Sequence, residues 1–198
     1  MAISVDLIKQ LRDKTNAPMM DCKKAITEAN GDMKTAMEIL KKRGQIVALK
    51  KAGRSAKEGI VESYIHSNNK IGVLIEVNCE TDFVARNEDF RRFVKDACMQ
   101  IAASSPAYVS REEVPKSTID REKDILKEQV KGKPENVMEK IVTGKLEKFY
   151  SEVCLLDQPF IKDDKLTIKE YLSTLIGKIG ENIIIRRFIR FQVGEDIG

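Results

Sequence analysis

GIVESYIHSNNKIGVLIEVNC, residues 59–79, is where the periodicity of the chain changes from helical to two, and its reading decides the fold. Ser67-Asn68-Asn69-Lys70 separates two runs rich in β-branched residues, Gly59 to His66 and Ile71 to Cys79, which is a hairpin signature. In the second run Ile71, Val73, Ile75, Val77 and Cys79 fall on one face. Successive side chains of a strand point to opposite sides, so that face must be covered by another part of the chain.

Working outward from the hairpin, the cover comes first on its C-terminal side. Phe90, Phe93, Val94, Ala97 and Ile101 recur at helical spacing until Ser104-Ser105-Pro106 interrupts them. Residues 182–193 alternate again, with Ile183, Ile185, Ile189, Phe191 and Val193 on one face and Asn182, Arg186, Arg190 and Gln192 on the other. This predicts a third strand. The expected class is α+β, an antiparallel sheet of about three strands with helices packed mainly on one face. Between helix and strand lies a charged helical excursion over 107–153, broken near Gly132-Lys133-Pro134, with Met138, Ile141, Val142 and Phe149 facing inward. Leu155 to Asp164 reads as a loop holding Gln158-Pro159-Phe160. Thr167-Ile168-Lys169-Glu170 then reads as a capping box opening a helix with Leu172, Leu175, Ile176 and Ile179, which Gly180 ends.

On the N-terminal side, residues 4–43 read as three short helices. Ser4 is a cap for the first, whose Leu7, Ile8 and Leu11 form a stripe, and Thr15-Asn16-Ala17-Pro18 breaks it. Pro18 opens the second helix, which buries Cys22, Ala25, Ile26 and Ala29 and stops at Asn30-Gly31. Asp32 caps the third, in which Met33, Ala36, Met37 and Leu40 repeat before Gly44. The expected plan is a three-helix module over 1–45, a basic linker over 46–57 and an α+β core over 58–198.

Composition bounds the function. No stretch approaches the roughly 20 consecutive apolar residues of a membrane span, and the N-terminus lacks a signal-peptide pattern, so a soluble cytoplasmic protein is expected. Cys22, Cys79, Cys98 and Cys154 are scattered, and His66 is the single histidine. Neither a disulfide framework nor a metal site is expected, and each cysteine reads as a small buried hydrophobe. Between Lys41 and Lys57 stand seven basic residues and no acidic one, either a contact for RNA or an acidic surface, or a solvated face. A Gly-rich phosphate loop is absent, and no paired carboxylates or nucleophile–base set stands out, so no catalytic residue and no cofactor are expected.

Two places carry chemistry of another kind. Met19 and Met20 open the second helix side by side, and adjacent residues cannot both point inward; they are either a partner surface or core filling. Thr81-Asp82-Phe83-Val84-Ala85-Arg86-Asn87 lies where the strand pattern ends and the helical pattern begins, a junction that presents side chains outward. Phe83 is out of register with Phe90, Phe93 and Val94. It either projects from the junction or folds back as a hydrophobic staple, with Thr81 and Asp82 as caps.

Five segments stand together in this order: LRDKTNAPMMDCKKAITEANGD at 11–32, EVNCETDFVARN at 76–87, GKP at 132–134, QPF at 158–160 and KIGENI at 178–183. Through them the chain resembles elongation factor Ts over nearly its whole length. The first segment is similar to that family's N-terminal module, a three-helix unit like ubiquitin-associated domains. Two departures stand out. Thr15-Asn16-Ala17-Pro18 replaces the family's common Thr-Gly-Ala-Gly, and KIGENI runs almost directly into FIRFQVGE at 188–195, as in a short form with one core unit.

The resemblance implies a non-enzymatic guanine nucleotide exchange factor for elongation factor Tu. It implies that Thr81, Asp82, Phe83 and Val84 form the segment that dislocates magnesium and releases GDP, and that Leu11, Met19 and Met20 grip a partner helix. It also implies release of the factor when GTP binds and, for a short form, a homodimer. No direct nucleic-acid contact and no membrane contact are expected. Two other readings stay open on residues alone: an RNA- or ribosome-associated protein using Lys41 to Lys57, and a carboxylate-based hydrolase.

Overall fold

The computed structural model describes residues 4–15, 17–132 and 134–196. Asn16, in the expected break after the first helix, and Lys133, in the GKP segment, lie outside the described residues. The fold is α+β, as the periodicities predict. It divides into two compact units: the chain up to Val61 with Glu76–Val94 and Glu170–Ile185, and Glu62–Ile75 with Lys95–Lys169 and the chain from Arg186.

In the first unit, α1 (Val5–Thr15), α2 (Met19–Glu28) and α3 (Met33–Lys51) enclose a core of Ile8, Leu11, Cys22, Ala25, Ile26, Ala29 and Ala36. The boundaries follow the capping residues. Ser4 Oγ accepts the Asp6 N–H at 3.2 Å, Pro18 stands just before α2, and Asn30 and Gly31 take positive φ values of 50° and 89° after it. Asp32 accepts the Thr35 N–H at 2.7 Å; removing such a cap typically costs about 1 kcal/mol.

One boundary departs from expectation. α3 does not stop at Gly44 but continues to Lys51, so much of the stretch expected as a basic linker is helix. The reason lies in α8 (Ile168–Ile179). Gly44 is buried, and its backbone lies against Ser173, Thr174 and Gly177 of that helix. Glycine here permits a close helix crossing instead of ending a helix, which offsets its lower helix propensity of about 1 kcal/mol. Lys41 joins the same pair of helices through Glu170 at 2.8 Å.

The sheet consists of β1 (Glu58–Ile65), β2 (Ile71–Cys79) and β5 (Ile183–Gln192), with β2 in the middle. The His66 N–H donates to the Ile71 carbonyl and the Val193 N–H to the Lys70 carbonyl, both at 2.9 Å, which sets the antiparallel register at one end. Val73, Ile75, Val77 and Cys79 are buried, as the alternation requires, and so are Phe90, Phe93, Val94, Ala97 and Ile101 of α5 (Glu88–Ser104).

The burial of β5 does not extend along the whole expected apolar face. Ile183 and Ile185 are buried, but Arg186 and Arg187 are both exposed, and so are Ile189, Phe191 and Val193. Past Ile185 the apolar residues of the strand are not carried into the core.

In the second unit α6 (Lys116–Gln129) and α7 (Glu135–Val153) pack as the expected helical excursion, with Met138, Ile141, Val142 and Phe149 half-buried. Arg111 ties down the base of α7. It donates to Glu147 at 2.9 and 2.7 Å and to Asp157 at 2.9 Å, and its guanidinium lies 4.6 Å from the centre of the Tyr150 ring.

The segment expected as a loop over 155–164 is more ordered than its composition suggests. A 3-10 turn at Leu155–Asp157 leads into β3 (Pro159–Phe160), which pairs with β4 (Asp163–Thr167). Buried amides hold it: Gln100 donates to the Gln158 side-chain oxygen at 3.0 Å and accepts the Ile161 N–H at 2.9 Å, and Gln158 donates to the Glu152 carbonyl at 2.9 Å. Polar side chains can be buried at this depth only because each finds partners.

Candidate partner-binding site

The end of β2 and the start of α5 are separated by one tight helical turn, α4 (Asp82–Ala85). Thr81 is extended, with φ −129° and ψ 155°, and its Oγ accepts the Val84 N–H at 3.4 Å, which makes it the N-cap. Ala85 is buried and anchors the turn, while Asn87 caps α5 by accepting the N–H groups of Asp89 and Phe90 at 2.9 and 3.3 Å. Between these two caps Phe83 is 78% exposed. Of the two fates open to it on sequence, projection is the one observed.

The other residues of the segment frame that ring. Asp82 pairs with Arg86 at 2.7 Å, an exposed bridge of the kind worth roughly 0–1 kcal/mol and therefore easily exchanged for another partner. Val84 is half-buried, and Cys79 Sγ donates to the Thr81 carbonyl at 3.1 Å. Burial pushes the Cys79 and Cys154 thiols up to about 11 and Cys98 to about 12, so they stay protonated and inert; all four cysteines are buried and unpaired.

A second set of residues, from the KIGENI segment, holds the junction from behind. The Glu181 carboxylate accepts the N–H groups of Glu80 and Thr81 at 3.1 and 3.0 Å and the Thr81 hydroxyl at 2.7 Å. In return Glu80 accepts the Asn182 N–H at 2.7 Å, and buried Asn182 donates to the Arg54 carbonyl at 2.7 Å. That N–H, more than the Arg54 guanidinium 3.5 Å away, holds the Glu80 carboxyl below its ordinary value. Reading the sequence missed Glu80, Glu181 and Asn182 as site residues, because the pairs they form span about one hundred positions. The available signal was the Gly180 turn, φ 82°, which ends α8 and delivers the next two residues to the edge of β2.

In the N-terminal module, the three residues expected to grip a partner separate. Met19 and Met20 are 39% and 60% exposed, whereas Leu11 is 0% exposed in the helical core. Leu11 lies in the core of the module with residues of α2 and α3, behind the surface that Met19 and Met20 present. Met19 borders an open notch with Arg12, Ala17, Pro18 and Lys178. Lys178 also pairs with Asp89 at 2.6 Å, so one lysine borders the methionine surface and touches the first turn of α5.

The basic segment is partly spent inside the protein. Lys41 binds Glu170, Arg43 binds Glu28 at 2.6 Å and Arg54 binds Glu80. Among the described residues, no group of three or more His, Cys, Asp or Glu is placed to hold a metal ion, and no helix is long and apolar enough to cross a membrane.

The sequence model of the family described as Elongation factor TS matches residues 2–195. The chain belongs to the elongation factor Ts family. It is 56% identical to the elongation factor Ts of Thermoanaerobacter sp. strain X514 over 98% of this chain and 97% of that protein. It is 58% identical to that of Acetivibrio thermocellus, over 98% and 92%, and 57% identical to that of Thermodesulfovibrio yellowstonii, over 98% of both. Family members of about this length thus align with it from end to end, including the segments around Phe83 and Glu181.

Proposed function

We propose that this elongation factor Ts family member is a guanine nucleotide exchange factor for elongation factor Tu in cytoplasmic translation elongation. The observation that carries the reading is Phe83, held 78% exposed on a turn that Thr81 caps, within the segment by which the chain resembles its family.

A GTPase holds nucleotide through a phosphate cradle and a magnesium ion that neutralises phosphate charge. In the proposed mechanism Thr81 and Val84 hold the turn, Asp82 meets polar groups of the partner, and Phe83 enters an apolar gap beside the nucleotide. The elements that hold the magnesium then shift, and GDP leaves. Burying a Phe is worth roughly 1.5–3 kcal/mol, comparable to a typical coupling between sites of about 1–3 kcal/mol. Linkage requires that nucleotide weaken the factor as much as the factor weakens nucleotide, so entry of GTP releases it. No covalent step and no cofactor are needed.

Met19 and Met20, with the notch beside them, serve as the grip: they supply affinity, not ejection. Thus the module over residues 1–45 binds and the core acts. For the second unit the proposal includes a homodimer. Ile65, Leu74, Ile189 and Phe191, on the three strands of one sheet, expose apolar side chains that a second copy would cover.

The test is release of a fluorescent GDP analogue from elongation factor Tu, with the native chain or its Phe83→Ala variant added. Fast release by the native chain and slow release by the variant supports exchange and wedge together. Fast release by both keeps exchange and discards Phe83 as its agent. No acceleration by either overturns the exchange reading.

A further inference from the structure

Glu181 does not touch Phe83, yet it controls the residue that caps the turn bearing it. Consecutive N–H groups of Glu80 and Thr81 converge on one carboxylate oxygen, and the Thr81 hydroxyl donates to the other at 2.7 Å. A hydroxyl has one proton to give. Committing it to Glu181 leaves a lone pair for the Val84 N–H, which approaches at 3.4 Å. The chain Glu181, Thr81, Val84 therefore fixes both the position and the orientation of the cap, and Glu80 closes the same clamp from the other side by accepting the Asn182 N–H.

We propose that Glu181 is a positioning residue of the exchange site, which holds Phe83 in its partner-ready orientation by fixing the Thr81 cap. The inference rests on the exchange reading above. Its physical content is preorganisation. An exposed aromatic ring on a loose turn would fold back onto its own protein, and ordering it would be charged against the step in which the ring ejects GDP; on a fixed turn that ordering is complete before the partner arrives. A carboxylate is the right group here because it has acceptors at both ends. A glutamine of the same volume has one acceptor end and one donor end; with its oxygen on the two N–H groups it meets the Thr81 hydroxyl only as a donor, which removes the acceptor that orients the hydroxyl proton and competes with the Val84 N–H for the hydroxyl lone pairs.

The experiment measures labelled-GDP release from elongation factor Tu against concentration of four full-length proteins: native, E181Q, Phe83→Ala and the double variant. E181Q should lower the maximal rate by roughly tenfold, the size of one charge-assisted hydrogen bond, while the half-saturating concentration changes little. In the Phe83→Ala background the same change should cost nothing more, because its effect passes through the ring. If E181Q lowers only the melting temperature, or if its loss adds fully to that of Phe83→Ala, Glu181 is a structural residue and the proposal is overturned. Should E181Q not fold, Thr81→Val removes the hydroxyl alone. The same rate loss and non-additivity are then expected, and a fully active Thr81→Val overturns the proposal. A native chain that accelerates nothing overturns the exchange reading and this inference with it, an outcome distinct from native and E181Q acting equally well.

Discussion

Gly177 of α8 lies against Gly44 of α3 so closely that a Cβ added to it would stand 3.1 Å from the Gly44 Cα, and a Cβ on Gly44 would stand 3.2 Å from the Ser173 carbonyl oxygen. Neither neighbour is the free end of a flexible side chain, so the backbones themselves must part to admit a methyl group.

Alanine at either position gains about 1 kcal/mol in helix propensity but should lose more to the forced separation, for a net destabilisation of roughly 1–2 kcal/mol. Gly144 of α7 supplies the control, since nothing lies within 4 Å of the Cβ it would gain. Gly144→Ala should raise the melting temperature, whereas Gly44→Ala and Gly177→Ala should lower it. A stabilised Gly44→Ala would show that the crossing has slack.

Glu80 sets a pH dependence whose sign is fixed. Its carboxyl titrates below its ordinary value in the folded protein, first because it accepts the Asn182 N–H. A depressed carboxyl stabilises the fold in full above its unfolded value of about 4.3, and that contribution is lost as pH falls through the lower folded value. The difference in unfolding free energy between native and Glu80→Gln should therefore be level from about pH 6 to 8 and shrink below about pH 4. A difference that grows on acidification would mean that the carboxylate is strained by its surroundings.

What the sequence disclosed follows from what is local. The three helices, the hairpin and the stripe of α5 depend on periods and caps read within a few turns, and Asp32, Pro18 and the Asn68-Asn69 turn stand where such reading puts them. The errors concern contacts made over long separations. Gly44 looks like a stop until α8 is laid across it, and β5 looks covered along one face until its burial ends after Ile185. The candidate site divides in the same way: Phe83 announces itself at a junction, but the clamp behind it comes from the far end of the chain.

The burial of Leu11 separates two variants that the family resemblance groups together. Leu11→Ala should destabilise the three-helix core by about 2–5 kcal/mol, visible in melting, whereas Met19→Ala with Met20→Ala should leave the melting temperature within a degree or two and weaken partner binding. Titration calorimetry with elongation factor Tu tests the second part. Equal melting losses in both variants would place the methionines in the core and remove the grip.

Gln158 and Gln100 account for the QPF segment in structural terms. Gln158→Leu would take one acceptor from the Gln100 amide, which keeps the Ser104 hydroxyl and the Pro159 carbonyl, and the Gln158 donor from the Glu152 carbonyl, at a cost of roughly 1–3 kcal/mol in all. Exchange activity at saturating concentration should be unchanged once the protein is folded. Loss of maximal exchange rate at normal stability would instead bring this segment into the functional site.

Phe191 decides the proposed homodimer. It is 62% exposed on β5, with Ile189 beside it on the same strand and Leu74 and Ile65 on β2 and β1. If a second copy covers this face, a charge at its centre must be buried without a partner, which costs several kcal/mol and is far more than one side chain contributes by packing. Phe191→Asp should therefore sediment as a monomer at micromolar concentration where the native chain sediments as a dimer, with its helical content intact. Exchange measured on that monomer then separates two roles for association. Retained activity per chain would make the dimer a device for stability, whereas lost activity with normal folding would mean that the partner surface is completed only when two chains are together. A native chain that is already monomeric would exclude the dimer and leave this face exposed for another reason.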